Sequence, residues 1–86
     1  MTRFNVLPLR KDIIERLKKY GLERKFDKQI KYLEKDPRHP GLILELLEPR
    51  SRGIYSIRID RKYRALLRFL PDRISIEIIV ITNHHH

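Results

Sequence analysis

The sequence predicts an α+β fold with two N-terminal helices packed on one face of an antiparallel β-sheet. Three observations carry the prediction. Apolar residues recur at helical spacing up to Pro37, they alternate at every second position after Gly53, and a turn-rich segment divides the two halves. With 86 residues the chain makes one domain with a single modest core. We expect that domain over residues 1–83, followed by a histidine run at 84–86 that reads as a native end, as part of a tag, or as a native His84 leading into a tag.

In the helical half, Arg3 to Leu7 is a short extended start. Pro8 and the charged Arg10-Lys11-Asp12 precede Ile13, Ile14 and Leu17, whose spacing predicts one helical face. Gly21 is placed to stop that helix. Leu22, Phe26, Ile30 and Leu33 then recur at intervals of four, four and three, with Lys25, Lys28, Lys31 and Lys35 turned away until Pro37 ends the pattern. The Asp36-Pro-Arg-His-Pro-Gly41 segment cannot continue a helix and builds a loop, and His39 is expected to be a residue of that loop rather than a ligand.

The β half follows a period of two. Tyr55, Ile57 and Ile59 share one face of the first strand and leave Ser56 and Arg58 on the other. Next, Ala65, Leu67 and Phe69 oppose Arg64, Leu66 and Arg68, and Pro71-Asp72 forms the hairpin turn. In the last strand Ile74, Ile76, Ile78 and Val80 are expected to point inward, with Ser75, Glu77, Ile79 and Ile81 outward. Arg58, Arg64 and Arg68 then lie on the face that the helices leave open. Three arginines on one strand pair repel each other unless an anion is expected there, and Glu77 offsets part of that charge.

Charge points the same way. The 20 Lys and Arg against 11 Asp and Glu leave a formal +9, so nucleic acid or an acidic protein is the first expectation for a partner. No cysteine is present, which excludes disulfides and thiolate metal sites. No apolar run approaches the ~20 residues needed to cross a bilayer, and no signal peptide is visible, so a cytoplasmic protein without a membrane partner is expected. There is no glycine-rich phosphate loop and no nucleophile elbow; no cofactor and no metal are expected.

The string Ile54-Tyr-Ser-Ile-Arg-Ile-Asp-Arg-Lys-Tyr-Arg64 resembles the Phe-Trp-Ser-x-Arg-Ile-x-x-x-(His/Tyr)-Arg segment of the RelE/ParE toxin superfamily, nearest its YoeB branch. Asp36-Pro-Arg-His-Pro-Gly-Leu42 is similar to the Asn-Pro-Arg-His-Pro-Ser-Leu loop of the same superfamily, and the resemblance runs from about Phe26 to His84. It implies a small toxin of a type II toxin-antitoxin system, a metal-free endoribonuclease (mRNA interferase) that cleaves mRNA at the ribosomal A site. It also implies an acidic antitoxin as partner, besides mRNA and the ribosome, and assembly as a homodimer or a hetero-oligomer with the antitoxin. Two alternatives stay open: a ParE-like toxin that inhibits DNA gyrase, and an inactive basic RNA- or ribosome-binding module.

Carried over by position, the catalytic glutamate of the family falls on Glu45, its essential arginine on Arg64 and its terminal histidine on His84; the tyrosine that should follow is replaced by His85. RNA cleavage of this kind needs a base for the 2′-hydroxyl proton, a cation for the charge that builds on phosphorus-bound oxygens, and an acid for the leaving 5′-oxygen. Those roles would go to Glu45, Arg64 and His84. Arg58 and Arg68, with Arg50, Arg52, Lys62 and His85, would bind the RNA backbone. The plain rival reading makes Glu45 a solvated residue at a strand edge and the arginines ordinary surface charges.

Overall fold

Strand pairing in the computed structural model, which describes residues 3–83, gives one five-stranded sheet in the order β1-β5-β4-β3-β2. The elements follow as β1 (Asn5–Val6), α1 (Lys11–Lys19), α2 (Glu23–Lys35), β2 (Glu45–Leu46), β3 (Tyr55–Arg58), β4 (Tyr63–Phe69) and β5 (Ser75–Asn83). Single 3-10 turns, Pro40–Leu42 and Arg50–Arg52, flank β2. Both helices lie on one side of the sheet, as the α+β prediction requires. The sheet, however, is mixed: β1 pairs in parallel with β5, through Asn5 N–H to Ile74 O and Leu7 N–H to Ile76 O, both 2.9 Å. The expected extended start at Arg3–Leu7 thus becomes an edge strand, and α1 and α2 form the crossover that a parallel pair demands.

Ile13 and Leu17, one helical turn apart, bury the inner face of α1 at 1% and 4% exposure. Ile14, expected beside them, is 39% exposed, because its position is rotated by 100° from Ile13. Gly21 has φ +63°, and its N–H reaches Lys18 O; this left-handed residue ends α1 where a side chain would be strained. In α2 the buried row is Leu22, Phe26, Gln29 and Leu33, so Gln29 takes the place expected for Ile30, which packs half-buried at the margin. The Gln29 amide has partners: its Nε2 donates to Gly41 O at 2.9 Å and to Arg58 O at 2.7 Å. One side chain therefore ties the 36–42 loop and the end of β3 to the helix.

Ile57, Ile59, Ala65, Leu67, Ile76, Ile78 and Ile81 form the contribution of the strands and their turns to the core. The alternation in β5 then breaks. Leu67 pairs with Ile78, but Leu66 pairs with Val80, leaving Ile79 as an extra residue in a β-bulge. Beyond it the faces exchange, so Ile81 is the buried residue at 1% and Val80 lies on the outer face, the reverse of the expected assignment. Ile74, also expected inward, precedes the strand and is 43% exposed. The Ile79 carbonyl accepts a hydrogen bond from Arg10 Nη2, which fastens the start of α1 to the bulge.

The β3–β4 and β4–β5 turns are each closed by an aspartate. Asp60 Oδ1 accepts from the amides of Lys62 and Tyr63, each at 2.8 Å, and Asp72 Oδ1 accepts from those of Ile74 and Ser75 at 2.9 and 2.8 Å. The second of these turns is the one expected at Pro71-Asp72. No helix among the described residues is long and apolar enough to cross a membrane.

Candidate active site

Strand register assembles a site on the face that the helices leave open. β2 sets Glu45 opposite Ser56, β3 and β4 set Arg58 opposite Arg64, and the post-bulge segment of β5 sets Thr82 opposite Arg64. Glu45, Leu47, Ser56, Arg64, Leu66, Thr82 and Asn83 line one hollow of about 370 Å³. Within it Arg64 Nη1 donates to Ser56 Oγ at 3.2 Å, and Nη2 lies 3.7 Å from Glu45 Oε1. The Arg64 side chain is 15% exposed against 55% for Glu45. A guanidinium held by a neutral hydroxyl and lined up beside a solvated carboxylate keeps donors free for two oxygens of a phosphate, in a planar fork that a lysine cannot present.

The other expected RNA-binding residues divide. Arg58 adjoins Arg64 in register, yet its Nε donates to Asp60 O at 3.3 Å, back into its own turn. Arg68 forms an ion pair with Glu77, Nε to Oε1 2.6 Å, and does not line the hollow. Arg52 lines an adjoining hollow of about 280 Å³ with Leu47, Pro49, Ile54, Leu66 and Ile79. Arg50 and Lys62 are exposed, in the Arg50–Arg52 turn and the β3–β4 turn respectively. His84 and His85 lie outside the described residues; Asn83, which precedes them, pairs with Tyr63 and lines the hollow. His39 is a loop residue, its Nδ1 accepting from Gly41 N–H at 3.0 Å and its ring stacked on Tyr32. Among the described residues no three His, Cys, Asp or Glu side chains group as ligands for a metal ion.

No known family profile matches the sequence, and no curated protein matches it. Solved structures do match. The YoeB/ParE toxin from Agrobacterium tumefaciens superposes with a TM-score of 0.72 at 19% identity, over 98% of this chain and 100% of that one. The chain has the fold of the YoeB and RelE toxins. A chain of the YoeB-YefM complex from Staphylococcus aureus gives 0.69 at 19% identity over 99% and 100%, and one of the RelBE2 toxin-antitoxin complex from Mycobacterium tuberculosis gives 0.59 at 16% over 96% and 100%.

On this YoeB-like fold the residue that sequence reasoning missed is Ser56. Alternation placed it on the arginine face, but a serine there reads as ordinary strand surface. Its 1% exposure and its bond to Arg64 mark it as the support of the guanidinium. Leu47, Leu66 and Thr82 were equally silent, since each joins the hollow only through cross-strand register.

Proposed function

We propose that this chain is the toxin of a type II toxin-antitoxin pair and a ribonuclease that cleaves mRNA in the ribosomal A site of the cytoplasm, with an acidic antitoxin as its partner. The observation that carries this reading is the pairing of Arg64 with Glu45 in an open hollow, with Ser56 behind the guanidinium. The YoeB-like and RelE-like fold supports it.

In this mechanism the RNA backbone enters the hollow with a phosphate against Arg64. Glu45 removes the proton from the 2′-hydroxyl, whose oxygen attacks the adjacent phosphorus. Arg64 donates to the non-bridging oxygens as their charge grows. His84, one residue beyond Asn83 in the chain, gives its proton to the departing 5′-oxygen as the P–O bond breaks. The products are a 2′,3′-cyclic phosphate and a 5′-hydroxyl.

Primer extension on a message in a purified translation reaction tests the reading. New cuts at the A-site codon are expected with the protein and absent with Arg64→Ala. Intact message in the presence of well-folded protein rejects the nuclease assignment.

A further inference from the structure

Helix α2 carries a second basic surface, on the side of the molecule away from the Arg64 hollow. Arg24, Lys28, Lys31 and Lys35 follow one another at intervals of four, three and four, which aligns them in a single stripe about 16 Å long. All four are exposed, and no ion pair joins any of them to an acid among the described residues. With Asp27 and Tyr32 they line a hollow of about 410 Å³ that shares no residue with the Arg64 hollow. Lys25, off the stripe, reaches Asp60 at 3.4 Å, whereas the exposed Lys11, Lys18 and Lys19 of α1 share the lack of an ion pair among the described residues, so the alignment along one hollow is what sets the stripe apart.

Like charges three and four residues apart on a helix repel each other; Asp27, three residues after Arg24 and four before Lys31, offsets part of this, and a polyanion laid along the stripe relieves the rest. A protein partner would need apolar anchors to bind here. The stripe offers none beyond Tyr32, whose half-buried ring is already stacked on His39 with centroids 3.9 Å apart. Evenly spaced cations without apolar anchors match a phosphodiester backbone, which binds through charge and without base contacts.

We propose that the α2 stripe is a second RNA-backbone site, which docks a structured RNA segment while the Arg64 hollow acts on the message. This rests on the reading of the chain as a protein that works on RNA, and it assigns α2 a contact that the cleavage mechanism does not need.

The test is fluorescence anisotropy with a labelled RNA hairpin and a labelled single strand over a range of salt concentrations, all proteins carrying Arg64→Ala so that the RNA stays intact. Lys28→Gln with Lys31→Gln is compared with Lys11→Gln with Lys18→Gln, the same change in net charge placed on α1. Removing two phosphate contacts makes the log–log salt slope shallower by about 1.5 and weakens binding about tenfold at moderate salt. We expect that loss for the α2 pair, larger with the hairpin than with the single strand, and a much smaller one for the α1 pair. Equal losses from both pairs, with helix content unchanged by circular dichroism, would mean that net charge alone attracts RNA and would overturn the site; so would no loss from the α2 pair. Because the readout is binding, a failure of the nuclease assignment in the Arg64 protein would leave this comparison untouched.

Discussion

Ser56 Oγ accepts a hydrogen bond from Arg64 Nη1 at 3.2 Å, across the β3–β4 pair and from a position that is 1% exposed. The hydroxyl fixes one corner of the guanidinium, so the orientation of the fork is set before any anion arrives. Ser56→Ala should therefore lower kcat for RNA cleavage by about tenfold or more through misplacement of Arg64. KM should change little, and the net cost in stability should be about 1 kcal/mol. Single-turnover cleavage alongside urea denaturation checks both; unchanged kcat in a folded variant would show that the strand alone orients Arg64.

Arg64 and Arg68 sit on the same strand face but should respond differently. Loss of one donor aimed at a developing oxyanion typically costs about 10² to 10³ in rate, so Arg64→Ala should lose at least that, with Arg64→Lys recovering little. Arg68 is already paired with Glu77 on the surface. Arg68→Ala should cost under about 1 kcal/mol in stability and leave cleavage within a few-fold of the parent. Parallel cleavage assays on the three variants distinguish a directed role from a shared field.

Gln29 holds two backbone carbonyls, those of Gly41 and Arg58. Gln29→Leu has a similar volume but leaves both acceptors without this partner, and each such loss costs about 1 to 3 kcal/mol. A destabilisation of about 2 kcal/mol or more is expected by urea denaturation. A neutral result would mean that solvent reaches both carbonyls.

Acid should weaken the hairpins. Asp72 is held below the ordinary carboxyl value of 3.8 by the Ser75 hydroxyl and by the amides of Ser75 and Ile74. For Asp60, burial pushes upward, but the amides of Lys62 and Tyr63 and the ammonium of Lys25 outweigh it, so its value is also lowered. A carboxyl lowered in the folded state contributes stability that is fully present above its unfolded value and is lost as pH falls through the folded one. Urea midpoints should therefore drop below about pH 4, and the drop should be shallower in Asp60→Asn with Asp72→Asn. An identical pH profile in that double variant would assign the acid response to other carboxylates.

Periodicity made most of the fold legible. Ile13 and Leu17, Leu22, Phe26 and Leu33, and the alternating Ile57, Ala65 and Leu67 occupy the core as their spacing predicts. Local pattern could not show the parallel pairing of Asn5 with Ser75, because a two-residue strand has no period and its partner lies 70 residues away. Nor could it reveal the bulge: Ile78-Ile79-Val80-Ile81 is branched and apolar throughout, so either face assignment fits. In the site, Arg64 could be placed by alternation on the open face, whereas Glu45, in a two-residue strand, was reached through family resemblance and not through any pattern of its own. Gln29 was hidden because a buried amide is recognisable only once both of its acceptors are in place.

The bulge gives β5 a residue to spare. Leu67 still faces Ile78 and Leu66 faces Val80, so the ladder does not count Ile79. A chain lacking Ile79 could keep Thr82 opposite Arg64 and would forfeit the carbonyl that Arg10 holds. Loss of Val80 instead leaves the same register, since Ile79 then takes the place opposite Leu66 and Thr82 again stays opposite Arg64. One residue can thus be taken out at the bulge without moving the pairs on either side of it, whereas a second deletion must shift the ladder, and single and double deletions along β5, read by solubility and by cleavage, would show that limit.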